Sequence, residues 1–91
     1  MVITRHYTVW GRVQGVYFRA STQSRAIELS IVGWVRNTDE GAVELIAQAE
    51  EAVLAELETW LWRGPDYAKV TRVDREPATF DANLKEFSLC Y

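Results

Sequence analysis

The chain passes twice from a strand pattern to a helix pattern within 91 residues, and this alternation limits the folds that it can adopt. A strand is predicted over 4–13, because apolar residues there share one face of a period-two pattern. A loop over 14–18 follows, and a helical pattern then runs from 19 to about 30. The residues available to the core are Tyr7, Val9 and Val13 in the strand and Ala26, Ile27 and Leu29 in the helix.

A β-hairpin is predicted in the middle of the chain. Continuous apolar and β-branched residues over 31–37 are typical of a strand inside a sheet. Residues 38–41 form a tight turn, in which Gly41 takes the position that needs a positive φ. The returning strand has apolar residues at alternate positions, namely Val43, Leu45, Ala47 and Ala49.

A second helix and two further strands are predicted in the remaining residues. The helix runs over about 50–62, and Gly64 followed by Pro65 ends it. Its apolar stripe consists of Val53, Leu57, Trp60 and Leu61. A fourth strand contains Val70 and Val73. A short fifth strand closes the chain, with the inward-facing residues Phe87, Leu89 and Tyr91.

This order of elements predicts the architecture. Two strand–helix–strand halves joined by right-handed crossovers form a split arrangement, in which the first and third strands are central neighbours and the second lies beside the third. We therefore expect a ferredoxin-like α+β sandwich, with an antiparallel sheet of four to five strands and both helices on one face. At this length, residues 1–91 form a single domain. Core positions are expected for Trp34, Leu57, Trp60 and Phe87, and the outer sheet face for His6.

Charge and cysteine content exclude several classes of function. The net charge is −3, whereas a general nucleic-acid binder needs a basic face. One cysteine, Cys90, permits no intramolecular disulfide, and with one histidine, His6, the usual metal-ligand sets are missing. The sequence has neither a signal-peptide pattern nor an apolar run of about 18 residues. These features predict a reduced, cytoplasmic protein that binds no metal, nucleic acid or membrane.

The segment 11–19 has the composition of an anion-binding loop. Gly11 and Gly15 lie where a β-prone run meets a helical pattern, and glycine lets backbone N–H groups converge on one point. A helix N-terminus adds partial positive charge at that point. Arg19 follows at the end of the loop, and its guanidinium matches the geometry of phosphate oxygens. The loop therefore predicts a phosphate site.

The predicted topology brings Asn37, at the end of the second strand, close to this loop. A side-chain amide beside a phosphate can hold a water for in-line attack. The loop contains no carboxylate, histidine, serine or cysteine, so a covalent phosphoenzyme is poorly supported. A phosphate ester needs a general acid or a metal to expel its alkoxide, whereas an acyl phosphate expels a carboxylate of pKa about 4 unaided. Acyl phosphate hydrolysis suits such a site best.

The residues of 11–19 and 32–38, together with Gly41, Gly64 and Pro65, resemble those of the acylphosphatase family. The resemblance covers nearly the whole chain, with both motifs at the expected separation. It implies hydrolysis of the carboxyl–phosphate bond of small acyl phosphates to a carboxylate and inorganic phosphate, without a metal or other cofactor. We expect a monomer.

The resemblance also implies roles for individual residues. Arg19 is expected to bind the phosphoryl group and Asn37 to orient the nucleophilic water. Thr38 is expected to steady the asparagine through its hydroxyl, and the substrate phosphate to accept the proton of the water. The cradle for the phosphate is completed by the backbone of Gln14, Gly15, Val16, Tyr17 and Phe18.

Two positions depart from the family pattern. Tyr17 stands where glycine or phenylalanine is frequent, and its ring could shade the mouth of the site. Cys90 stands where some members carry an arginine just before the last tyrosine, so an ion pair made by that arginine is absent here. Neither departure touches Arg19 or Asn37.

Two other functions are compatible with the predicted fold. RNA-recognition modules share its topology and bind through aromatic residues on the sheet, but the acidic balance argues against RNA. A domain that binds phosphate or carbamoyl phosphate without turnover is the second alternative. Fold alone does not separate these functions, whereas the pairing of Arg19 with Asn37 favours the enzyme.

Overall fold

Five strands and two helices alternate along the chain in the computed structural model, which describes all residues from 1 to 91. The first half has β1, α1 and β2, and the second half has β3, α2, β4 and β5. Their bounds are Val2–Arg12 (β1), Phe18–Glu28 (α1), Val32–Asn37 (β2), Val43–Glu50 (β3), Glu51–Arg63 (α2), Lys69–Pro77 (β4) and Phe87–Leu89 (β5). The order predicted from the sequence is confirmed.

The strands form one sheet in the order β4-β1-β3-β2-β5. β1 pairs with β3 and β4, and β2 pairs with β3, all antiparallel. β5, in contrast, pairs with β2 in parallel, so the sheet is mixed and the expectation of a wholly antiparallel sheet is wrong for this edge. The reason is the long connection over 78–86, which carries the chain from one edge of the sheet to the other. The ferredoxin-like α+β fold itself is confirmed.

Both helices pack on one face of the sheet. α2 buries Leu54, Leu57 and Leu61, a stripe at spacings of three and four. Val53 and Trp60, which the sequence placed in that stripe, are only partly buried at its margin. The core receives Tyr7, Val9, Val13, Val43, Leu45, Ala47 and Phe87 from the sheet side and the loop that follows β1. The alternation predicted for β1 and β3 is therefore confirmed.

The core face of α1 differs from the predicted one. The buried residues are Phe18, Thr22 and Ala26, which follow each other at four-residue intervals. Ile27 is 60% exposed, so its predicted core position is wrong. Phe18, the first residue of this buried face, contacts Trp60 of α2 with ring centroids 5.6 Å apart. Neither helix has the length and apolarity needed to cross a membrane.

The opposite face of the sheet carries no helix and is lined by charged and aromatic side chains. Trp34 lies here, half-buried, with the Arg36 guanidinium carbon 5.6 Å from its ring centroid, so its predicted core position is wrong. His6 lies on this face, as expected, and its Nε2 is 2.7 Å from Glu44 Oε2. Burial raises the pKa of Glu44, but hydrogen bonds from His6 and Arg36 outweigh it and hold that pKa below its usual value.

Gly33 permits the close approach of β2 to β3. Its φ is +149°, and a Cβ at this position would collide with the carbonyl oxygen of Ile46. Pairing between the two strands continues on both sides of Gly33, up to Asn37 opposite Val43. Asn37 is therefore held at the end of a strand whose register is fixed by the sheet.

Candidate active site

A turn with left-handed residues connects β1 to α1. Gly15 has a φ of 75°, and Tyr17 has a φ of 64° with a ψ of 24°. Val16 and Phe18 are buried in the core, whereas Gly15 and Tyr17 are exposed. Alternation between right- and left-handed residues is typical of backbone nests, in which successive N–H groups converge on an anion. The segment is thus anchored by two apolar side chains and carries its polar backbone at the surface.

The N-terminus of α1 lies at this turn and is uncapped. Tyr17 is the N-cap residue and makes no side-chain hydrogen bond to the first turn, which also contains no acidic residue. The unpaired N–H groups and the helix dipole therefore favour an anion. Because β1 ends at Arg12 and α1 begins at Phe18, the loop spans 13–17, one position earlier than the 14–18 predicted from the sequence.

Arg19 is held in place by the end of the chain. Its Nη1 donates a hydrogen bond of 2.9 Å to the carbonyl oxygen of Cys90. Its guanidinium carbon also lies 4.9 Å from the ring centroid of Tyr91. Tyr91 is fully exposed, so its predicted inward orientation is wrong. These two contacts give the arginine a defined orientation and leave its remaining N–H groups for a ligand.

Asn37 has a polar atom without a partner. It ends β2 opposite Val43, and its side-chain Oδ1 is buried yet accepts no hydrogen bond from the protein. A buried amide oxygen left unpaired is costly, and a bound water is the usual remedy. Asn37 therefore presents a ready acceptor to a water molecule.

Gln14 and Thr38 connect the loop to the turn that follows Asn37. Gln14 Nε2 donates to the carbonyl oxygens of Thr38 and Ala42, both at 2.8 Å. The Thr38 hydroxyl accepts from the Ala42 N–H at 3.1 Å. Its hydrogen bonds thus stay within the turn, so any support that Thr38 gives to Asn37 passes through the backbone. The side chain of Gln14 is likewise occupied, which leaves its backbone for a ligand.

Arg19 and Asn37 line one cleft of about 410 Å³, together with Gly15 and Tyr17 of the loop. No side-chain carboxylate, imidazole or thiol lines it, so Arg19 is its only charged side chain. No group of three or more His, Cys, Asp or Glu side chains in the chain is placed to hold a metal ion. The arrangement can bind an anion through N–H groups and a guanidinium, and can orient a water at an amide.

Sequence reasoning missed two parts of this cleft. Leu89 and Tyr91 also line it, and the Cys90 carbonyl orients Arg19. The only signal that could have found them is the apolar C-terminal strand pattern, which says nothing about contact with the loop. The Gln14 bonds were also missed, because they join residues 24 and 28 positions apart.

Comparisons with known proteins agree with this geometry. The acylphosphatase family model matches residues 5–89. The chain is 49% identical over 76 residues to an acylphosphatase of Nitrosococcus oceani, covering 84% of this chain and 85% of that relative. The structure of an acylphosphatase from Coxiella burnetii superposes with a TM-score of 0.93 and 39% identity, covering 98% of this chain and 93% of that one. An acylphosphatase from Bacillus subtilis gives a TM-score of 0.93 and 33% identity over 100% of both chains.

These matches extend over nearly the full length of both partners and confirm the resemblance carried by the loop and the Asn37 strand. The chain belongs to the acylphosphatase family.

Proposed function

We propose that this chain hydrolyses the carboxyl–phosphate bond of small acyl phosphates without a metal ion, giving a carboxylate and inorganic phosphate. The observation that carries the proposal is the presence in one cleft of the tethered Arg19 and of Asn37, whose Oδ1 has no hydrogen-bond partner in the protein. Family membership supports the reaction. The residues that line the cleft support separate roles for Arg19 in binding phosphate and for Asn37 in orienting water.

The phosphoryl group binds in the loop. The backbone N–H groups of 14–18 and the uncapped N-terminus of α1 surround its oxygens, and Arg19 supplies further charged donors. The contact between Arg19 and the Cys90 carbonyl removes rotamer freedom before substrate arrives. Donors that are already oriented stabilise the charge on the transferring phosphoryl group without reorganising during the reaction.

Asn37 positions the nucleophile. Its Oδ1 accepts a hydrogen bond from a water, which directs a lone pair of that water towards phosphorus and opposite the departing carboxylate. The P–O bond to the acyl oxygen breaks as the bond from the water forms, and a phosphate oxygen takes the proton. The carboxylate, whose conjugate acid has a pKa of about 4, leaves without protonation, so the reaction needs no general acid.

Hydrolysis of acetyl phosphate in the presence of EDTA tests the proposal. We expect Arg19→Gln and Asn37→Ala to lower kcat/KM by about a hundred- to a thousandfold each. Inorganic phosphate should inhibit the Asn37→Ala variant to the same degree as the wild type. It should inhibit the Arg19→Gln variant much less. Arg25→Gln and Asn83→Ala are matched controls, since neither residue lines the cleft, and both should keep wild-type turnover.

The same assay separates the alternatives. Loss of wild-type activity in EDTA would show that the reaction needs a metal. A wild-type protein that binds phosphate but turns over no acyl phosphate would be a binding domain. We also propose that the monomer is active, because Arg19 and Asn37 of the same chain meet in one cleft. Activity that falls away on dilution would contradict this.

A further inference from the structure

Tyr17 has a conformation that its own packing does not explain. It is a bulky, non-glycine residue in the left-handed region, with a φ of 64°, yet its side chain is 81% exposed. Aromatic residues rarely adopt this backbone, since the Cβ crowds the neighbouring carbonyl, and glycine or asparagine would adopt it more easily. Strain of this kind is typical of functional sites, where the surrounding structure holds it in place.

The neighbours of Tyr17 fix its backbone. Val16 and Phe18 on either side are buried in the core, so the backbone at Tyr17 cannot relax without moving them. The backbone of Tyr17 therefore places its side chain at the mouth of the cleft that contains Arg19 and Asn37, outside the core.

The other side of the mouth is also apolar. Leu89 is half-buried, and Tyr91 is fully exposed while its ring lies against the Arg19 guanidinium. Arg19 is the only charged side chain of the cleft, and the phosphoryl group engages it in the proposed reaction. A charged acyl group would therefore meet no second charged side chain at the mouth, whereas a flat apolar one would meet two rings and an aliphatic side chain.

We propose that Tyr17 determines acyl-group specificity, forming with Leu89 and Tyr91 an apolar rim that favours acyl phosphates with an aromatic or other flat apolar acyl group. This inference rests on the proposed function, because the phosphoryl group must occupy the loop for its acyl group to reach the rim. Tyr17 contributes the ring from the loop side, so it can be altered without removing the contacts of Arg19 to Cys90 and Tyr91.

The test compares benzoyl phosphate with acetyl phosphate in the wild type, Tyr17→Asn and Tyr17→Phe. Asparagine adopts the left-handed conformation readily but has no ring, and phenylalanine keeps the ring without the hydroxyl. We expect Tyr17→Asn to lower the ratio of kcat/KM for benzoyl phosphate to that for acetyl phosphate by about two- to tenfold, the contribution of one aromatic contact. Tyr17→Phe should keep the wild-type ratio, because the ring and not the hydroxyl makes the contact.

The ratio cancels any effect of the substitution on the loop, since both substrates present the same phosphoryl group. If Tyr17→Asn turns over both substrates with an unchanged ratio of kcat/KM values, the proposal that Tyr17 determines acyl-group specificity is refuted. The proposed function is then left intact. An equal fall in Tyr17→Phe would overturn the specificity proposal too, since the hydroxyl would then carry the effect. A wild type that hydrolyses neither substrate would overturn the proposed function and this inference together.

Discussion

Replacing Gln14 with alanine removes the side chain that joins the loop after β1 to the turn after β2. The Gln14 amide donates two hydrogen bonds of 2.8 Å, to the carbonyl oxygens of Thr38 and Ala42. Each carbonyl also accepts from a backbone N–H, Thr38 from Gly41 at 3.2 Å and Ala42 from Thr38 at 2.9 Å. The substitution therefore leaves no carbonyl wholly unpaired, and its cost is the net value of two hydrogen bonds.

That cost is about 2 kcal/mol, since a typical intramolecular hydrogen bond contributes about 1 kcal/mol net. For a domain of this size the loss corresponds to a fall in Tm of roughly 10 °C. Gln23→Ala is the matched control, because its half-buried amide donates a single bond of 3.0 Å to the Phe87 carbonyl. The control should lose less than about 1 kcal/mol, since alanine also has the higher helix propensity.

Urea unfolding of the wild type and both variants measures these losses. The midpoint should fall further for Gln14→Ala than for Gln23→Ala, with the same slope in all three proteins, because the surface exposed on unfolding hardly changes. Equal midpoints in Gln14→Ala and the wild type would refute the reasoning. They would show that water replaces the Gln14 amide at no cost and that the loop and the turn are not joined.

Three further substitutions test other features of the fold. Gly33→Ala should destabilise the protein by about 3 kcal/mol or more, because an added Cβ meets the backbone of β3 at a positive φ, and a wild-type Tm would contradict that close approach. Thr22→Val should raise the free energy of unfolding by about 1 kcal/mol, since the buried Thr22 hydroxyl has no partner, and a lower urea midpoint would contradict this. Burial opposes ionisation of Glu44, but hydrogen bonds from His6 and Arg36 hold its pKa below its ordinary value of 4.5. A depressed pKa stabilises the folded state above the ordinary value, and this stability is lost as the pH falls through the folded pKa. Glu44→Gln should therefore be less stable than the wild type near neutral pH, with a difference that shrinks below about pH 4.5, and a constant difference in urea midpoints across this range would contradict it.

The strands were predictable because their apolar residues alternate. Val43, Leu45 and Ala47 face the core as the pattern requires, and Gly41 has a φ of 92° in the predicted turn. The helix faces were less predictable, since neighbouring apolar residues satisfy a 3.6-residue period in more than one rotation. Ile27 is thus exposed whereas Thr22, a polar residue, is fully buried. Tertiary packing decides between such rotations.

The parallel pairing of β5 was not predictable for a different reason. A three-residue strand carries no information about its direction, which follows from the path that the preceding connection takes to the far edge of the sheet. Trp34 was misplaced because the apolar run 31–35 faces both sides of the sheet. With Val35 fully buried, the alternation turns Trp34 to the open face.

The sequence indicated Arg19 and Asn37 because glycine loops, helix starts and strand ends leave local patterns. The groups that orient them leave none. The Gln14 amide reaches carbonyls 24 and 28 residues away, and the Arg19 guanidinium reaches a carbonyl 71 residues away. Such contacts join residues that are far apart in the sequence and depend on the tertiary structure, so local sequence patterns do not predict them.

Under the proposed function, the hydrogen bond between Arg19 and Cys90 makes turnover depend on the shortest strand of the sheet. β5 has three residues, lies at an edge, and is held to β2 partly through the hydrogen bond from the Cys90 N–H to the Val35 carbonyl. Short edge elements detach in local openings that need far less free energy than unfolding of the whole domain. Each such opening releases the arginine while the loop and the core stay folded. On heating, we therefore expect turnover to decline below the temperature at which the whole protein unfolds.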